Sequence, residues 1–140
     1  MSGCQPGTKF SIRVMIVNSQ GQVLLGLKKK GYHASYWIFP GGQIEFGETV
    51  AQCGTREVWE ESRLQIEIKG LLGIASEIQN NKHVVFLHLL ASGDGCPQVT
   101  EPEEVLEWRW FDTGRLPDKT TLAARNAIGK YQQGQAIIPV

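Results

Sequence analysis

Gly42-Gln43-Ile44-Glu45-Phe46-Gly47-Glu48-Thr49 runs through residues 50–55 into Arg56-Glu57-Val58-Trp59-Glu60-Glu61-Ser62-Arg63-Leu64, and the rest of the chain is arranged to present this stretch. Its first half is a glycine-rich turn, because Pro40-Gly41-Gly42 and Gly47 supply restricted or positive backbone angles that end regular structure. Thr49 with Gln52 three residues later fits a capping box, so the sequence predicts a helix that starts near Thr49. From Val50 to Ser62 there is no proline and one glycine, Gly54, which costs ~1 kcal/mol against alanine and marks a place where another element comes close. At about 3.6 residues per turn, Glu57, Glu60 and Glu61 fall within an arc of about 100°. Three carboxylates then crowd one face of the helix.

Like charges three and four positions apart repel, and each opposes the ionisation of the others. Two partners relieve this. One is a hard divalent cation, Mg²⁺ or Mn²⁺, which takes oxygen ligands from one or two carboxylates together with water and substrate phosphates. The other is plain solvation of an acidic face neutralised by Arg56 and Arg63, the ordinary fate of a charge run.

The pattern of the whole stretch separates the two. It resembles the box of the Nudix hydrolases, G-x5-E-x7-R-E-U-x-E-E-x-G-U with U a bulky aliphatic residue. Gly42, Glu48, Arg56, Glu57, Val58, Glu60, Glu61 and Leu64 stand at the matching positions, and Arg63 replaces the last glycine. That glycine serves as a left-handed helix end, so Arg63 must adopt that conformation or the helix must end differently. Trp37-Ile38-Phe39-Pro40-Gly41-Gly42 resembles the family's entry into the box, and Glu101-Pro102-Glu103 followed by Trp108-Arg109-Trp110 is similar to its MutT-like branch, which cleaves nucleoside triphosphates.

The resemblance covers roughly residues 10–133 and implies an α+β Nudix fold, a mixed β-sheet sandwiched between helices (α/β/α). It implies a Mg²⁺ cofactor, with Mn²⁺ as a substitute. Glu57, Glu60 and Glu61 would hold the ion, the Gly41 carbonyl would join them, and Glu48 would ligate a further ion or polarise the attacking water. Glu57 and Glu60 carry the catalytic role together with a base in the acidic loop, for which Glu103 ranks before Glu104. Lys28, at the end of a strand, matches a position that often meets substrate phosphate. Arg56 reads first as a partner of Glu48 that orients the carboxylates, and it stands with Lys28 and Phe46 among the candidate substrate contacts. Tyr36, Trp37, Phe46 and Trp59 are aromatics near the box that could stack on a base, although buried aromatics more often belong to the core. The implied reaction cleaves a nucleoside triphosphate to monophosphate and pyrophosphate. A sugar-nucleotide, ADP-ribose or dinucleotide pyrophosphatase would use the same box, and a non-catalytic nucleotide-binding module on the same fold is the alternative from another class.

Around the box, Phe10 to Val17 and Gln22 to Lys28 read as two strands joined by Asn18-Ser19-Gln20-Gly21. Residues 31–36 read as a loop, in which His33 is more readily a bystander than a catalytic group. Gln65 to Lys69, Leu71 to Gln79 and His83 to Leu90 read as three further strands, the last two turning at Asn80-Asn81. His83 and His88 have opposite parity and so face opposite sides of a sheet. Ala91 to Val99 reads as a loop, residues up to Phe111 end in a strand, and Asp118 to Tyr131 forms a closing helix with Thr120 or Thr121 near its start.

The 140 residues fit one domain, expected as a loose segment 1–9 and a single unit 10–140, long enough to bury a core without staples. A hydrophobic share of 41% and a charged share of 20% describe an ordinary soluble protein. The zero formal net charge argues against a broad basic footprint for a nucleic-acid duplex or an anionic membrane, so polyphosphate recognition must come from a metal and a few local cations. Cys4, Cys53 and Cys96 are odd in number and form no C-x-x-C pair, which reads as reduced thiols in a cytoplasmic chain. No apolar run approaches a membrane span, and the first eight residues lack the features of a signal peptide. A homodimer stays open.

Overall fold

The computed structural model describes residues 7–140. Its elements are β1 (Thr8–Val17), β2 (Gln22–Lys28), β3 (Trp37–Ile38), β4 (Gly41–Gln43), α1 (Val50–Ser62), β5 (Glu67–Gln79), β6 (Lys82–Ser92), β7 (Val105–Asp112) and α2 (Leu122–Gln132). The seven strands form one mixed sheet of order β3-β2-β1-β6-β5, in which β4 also pairs with β1 and β7 with β2. β1 and β6 run parallel from Thr8↔His83 to Val17↔Ser92, and the other pairings are antiparallel. Cys4 and the other residues of segment 1–6 lie outside the described part.

Alternation along the strands builds two cores, one on each face of the sheet. Ile12, Val14 and Ile16 of β1 and Leu24 of β2 bury against Cys53 and Val58 of α1. Met15 of β1 and Val23 and Leu25 of β2 point the other way and bury against Ala124, Ala127 and Ile128 of α2. Each fully buried aliphatic side chain contributes roughly 1.5–3 kcal/mol, so the two clusters clamp the sheet between the helices. The close approach expected at Gly54 is real: a methyl there would come 3.1 Å from Leu89 and 3.2 Å from Val14. This is the α+β arrangement that the box resemblance implies.

Several boundaries differ from expectation. β1 begins at Thr8, before the expected boundary at Phe10, because its parallel partner β6 pairs with it from there. Gln65 to Lys69 and Leu71 to Gln79 are not two strands. They form one strand, β5, that bends through register shifts between Ile68 and Gly70 and between Leu71 and Gly73, so Gly70 marks a bulge instead of a break. Trp37–Ile38 and Gly41–Gln43, the latter entering the box, pair as short strands, and β6 extends to Ser92. α2 starts at Leu122, not Asp118, since the Thr121 hydroxyl accepts from the Ala124 N–H and sets the first turn there. No helix among the described residues is long and apolar enough to cross a membrane.

The sheet divides where the site lies. β1 meets β2 in register at Val17↔Val23, while its other half pairs with β4 through Ser11↔Gln43, Ile12↔Gly42 and Arg13↔Gly41. The Val14 N–H donates to the Pro40 carbonyl at 2.9 Å, which holds the glycine pair down on β1.

Candidate active site

α1 starts as its sequence requires. Thr49 Oγ1 accepts from the Gln52 N–H at 3.1 Å, and Gln52 Oε1 accepts from the Thr49 N–H at 2.9 Å, so two end N–H groups are satisfied. The helix ends at Arg63, whose φ of 61° is left-handed and whose N–H donates to the Trp59 carbonyl. Arg63 therefore takes the conformation of the glycine it replaces. Its guanidinium lies 5.3 Å from the centroid of the Trp59 ring and offsets part of the strain.

Two glycines before the helix are fixed by what lies beside them. Gly41 has a φ of 152°, and a methyl on it would strike the Ile12 carbonyl oxygen of β1. A methyl on Gly42 would instead overlap the Glu57 carboxylate. The first glycine lets β4 lie on β1, and the second leaves the space that Glu57 fills.

Arg56 is the hub of the acidic face. Its Nε donates to Glu48 Oε2 at 3.0 Å and its NH2 to Glu48 Oε1 at 2.7 Å, a two-pronged pairing, while its NH1 donates to Glu57 at 2.7 Å and Glu60 at 3.0 Å. Glu45 lies 3.6 Å away. These bonds hold the Glu48 carboxyl down at about 2 and raise the Arg56 guanidinium above its ordinary range. Among the described residues no three acidic, histidine or cysteine side chains are gathered closely enough to hold an ion as they stand, and Glu48, Glu57 and Glu60 each turn to the Arg56 guanidinium at 2.7, 2.7 and 3.0 Å.

Glu57 and Glu61 lie deeper. Burial pushes the Glu57 carboxyl up, against the pull of the Arg56 hydrogen bond. Burial pushes Glu61 up to about 8, although the Gly41 N–H donates to its Oε1 at 3.0 Å. Two desolvated carboxylates on adjacent turns call for positive charge. Glu60 is half exposed at the rim.

The acidic loop before β7 is tied to the end of α1. Thr100 Oγ1 donates to the Glu60 carbonyl at 2.6 Å, and Trp108 Nε1 donates to the Glu61 carbonyl at 3.0 Å. Glu103 is exposed in this loop. Glu101 is the loop acid whose charge acts on Glu61, and sequence spacing had no means of preferring it. Glu104 is engaged elsewhere: its carboxylate pairs with Lys28 at 2.7 Å and Lys30 at 3.4 Å, and the Lys28 bond holds it below the usual range.

The candidate substrate contacts separate accordingly. Lys28 sits in that ion pair on the β2 side, and Arg56 is embraced by glutamates. Phe46 is fully exposed at the tip of the β4–α1 turn. Trp37 packs edge to face on Phe111 at 4.9 Å, and Trp59 stands under Arg63. His33, taken as a bystander, has its Nε2 2.7 Å from Glu77 of β5. Arg13 passed unremarked in the sequence because a lone arginine in an apolar strand carries no spacing signal. Its charge acts on Glu61, Glu57 and Glu77.

Comparison with known proteins agrees with this architecture. A family model described as NUDIX domain matches residues 7–131. The oxidized purine nucleoside triphosphate hydrolase of Danio rerio is 31% identical over 111 residues, covering 79% of this chain and 70% of that protein. The NAD-capped RNA hydrolase NudC of Stutzerimonas stutzeri is 31% identical over 129 residues, 92% of this chain but 45% of that longer protein. The crystal structure of a MutT NUDIX hydrolase from Burkholderia pseudomallei superposes with a TM-score of 0.81 at 31% identity, covering 89% of this chain and 98% of that one.

Proposed function

The chain belongs to the Nudix hydrolase family, whose members are pyrophosphohydrolases, and from that premise we propose that it is a Mg²⁺-dependent enzyme cleaving a nucleoside triphosphate to monophosphate and pyrophosphate. The observation that carries the metal dependence is the pair of half-buried, desolvated carboxylates, Glu57 and Glu61, next to half-exposed Glu60 on one face of α1. Their donors are all oxygen, and a hard divalent cation supplies the positive charge that burial makes necessary. Glu57, Glu60 and Glu61 would hold the ion, with Glu48 and the Gly41 backbone beside them. A bound Mg²⁺ polarises phosphate oxygens and lowers the pKa of water.

The chain's own groups do the rest. Arg56 keeps Glu48 ionised and holds Glu57 and Glu60 on the same face, and a bound cation would take over Glu57 and Glu60 from it. Glu57 and Glu60 act in catalysis. The base that takes a proton from water is assigned to the loop fastened to the end of α1, to Glu103 as the sequence offers it, with Glu101, whose charge acts on Glu61, as the second acid of that loop. The triphosphate substrate is supported by the relative named for oxidized purine nucleoside triphosphates. Purified protein with Mg²⁺ and a panel of nucleoside triphosphates, dinucleotides and sugar nucleotides tests this by product analysis. Pyrophosphate from triphosphates is expected, whereas cleavage of ADP-ribose or NADH alone would replace the substrate class. Glu60→Gln should lower turnover by orders of magnitude with unfolding unchanged, and full turnover would refute the assignment.

A further inference from the structure

Phosphate recognition in this chain needs a cation near the carboxylates, and the two expected ones are committed. Lys28 is held at 2.7 Å by Glu104, and Arg56 is shared among Glu48, Glu57 and Glu60. Arg13 differs from both. It stands on β1 between Gly41 of β4 and His88 of β6, at the place where the sheet divides. Its parity is that of Met15, so its side chain leaves the sheet on the α2 face, where the guanidinium lies 5.5 Å from the centroid of the Phe86 ring.

There Arg13 lines a narrow crevice with His33, Phe39, Glu77, Phe86 and Thr121. Its charge acts on Glu61, Glu57 and Glu77, yet each of these carboxylates is engaged by another donor: Glu61 by the Gly41 N–H, Glu57 by Arg56 and Glu77 by His33. Among the described residues no ion pair within 4.0 Å closes on Arg13. A guanidinium carries five N–H donors in a flat fork that matches two phosphate oxygens at once, and a desolvated one without a direct ion pair costs stability. The first turn of α2 adds to the positive potential: Thr121 caps it at the crevice wall, where the N–H ends of the helix peptides gather.

We propose that Arg13 is the phosphate-contacting residue of this site, its guanidinium donating to nonbridging oxygens of the nucleotide's phosphate chain as that chain passes from Glu57 and Glu61 toward the crevice at the start of α2. The assignment rests on the hydrolase reading above and gives to Arg13 the task that the sequence offered to Lys28 and Arg56. It also accounts for a charged side chain on β1 between the buried Ile12 and Val14.

The test measures affinity, not turnover alone. Arg13→Gln keeps a polar side chain on the same Cβ–Cγ–Cδ stem but is shorter and uncharged, and Arg13→Lys keeps the charge without the fork. Calorimetric titration with an α,β-methylene nucleoside triphosphate should show at least a tenfold weaker dissociation constant for Arg13→Gln and partial recovery for Arg13→Lys, with unfolding midpoints no lower than wild type. A purely structural arginine gives the opposite pattern, a lowered midpoint with affinity within twofold of wild type, and that result overturns the assignment. Should Arg13→Gln not fold, the Arg13 Nε–H resonance of ¹⁵N-labelled wild type is followed while inorganic pyrophosphate is added. A shift that saturates supports the contact, and a static resonance refutes it. Wild type that cleaves triphosphates while Arg13→Gln binds them unchanged defeats the Arg13 assignment alone. Wild type that cleaves no phosphoanhydride defeats the reading beneath it.

Discussion

Replacing Glu61 by glutamine should abolish the pH dependence that this one desolvated carboxyl imposes on stability. Glu61 titrates in an unfolded chain near 4.5 and in the folded protein near about 8, chiefly because burial disfavours its ionised form. Between those values the folded state keeps a proton that the unfolded chain has released. The contribution of Glu61 to stability is therefore full below pH 4.5, falls as pH rises, and is lost once pH passes about 8. Each pH unit of that interval is worth about 1.4 kcal/mol, so the whole interval comes to about 5 kcal/mol as a ceiling, which hydration of the cleft lowers. Glutamine can accept the same Gly41 N–H, has nearly the same volume and does not ionise. Urea unfolding of both proteins, in chelator and from about pH 4.5 to about pH 8.5, isolates the effect as the difference between them. Glu61→Gln should gain several kcal/mol on wild type across that range, and Mg²⁺ should narrow the gap at the alkaline end by stabilising only the carboxylate. A difference that stays flat with pH would show that Glu61 is not desolvated, and the argument for a cation beside Glu57 and Glu61 would lose its main support.

The two glycines before α1 should fail in different ways. Gly41→Ala, with φ at 152° and the Ile12 carbonyl in the way, should cost more than about 2 kcal/mol in urea unfolding, while Gly42→Ala displaces only the end of Glu57 and should cost less than about 1 kcal/mol yet reduce turnover at least tenfold. Equal losses of stability, or a fully active Gly42→Ala, would contradict this geometry. Arg63→Gly removes a left-handed side chain worth roughly 1–2 kcal/mol of strain but also the contact with Trp59, so stability should rise by no more than about 1 kcal/mol, with turnover within twofold of wild type. A tenfold change in rate would place Arg63 in the site after all.

The chain's local rules were legible without coordinates. Thr49 and Gln52 announced the helix start, and the spacing of Glu57, Glu60 and Glu61 put three carboxylates on one face, because both depend only on 3.6 residues per turn and on backbone groups that must be satisfied near by. The hairpin at Asn18 to Gly21 and the turn at Asn80-Asn81 were equally local. What tertiary structure alone decided is which of those groups lose water and which meet across the sheet. No periodicity could say that Glu61 is desolvated and Glu60 half exposed, that Lys28 is spent on Glu104, that the charge of Glu101 reaches Glu61, or that Gly70 bends a strand instead of ending it. Arg13 is the sharpest case: in sequence it is one charge in an apolar strand, and only the parallel pairing of β1 with β6 and the laying of β4 on its other side bring its charge within reach of Glu57 and Glu61. Desolvation and Coulomb interaction depend on distance in space, so residues far apart in the chain acquire their chemistry only when the sheet assembles.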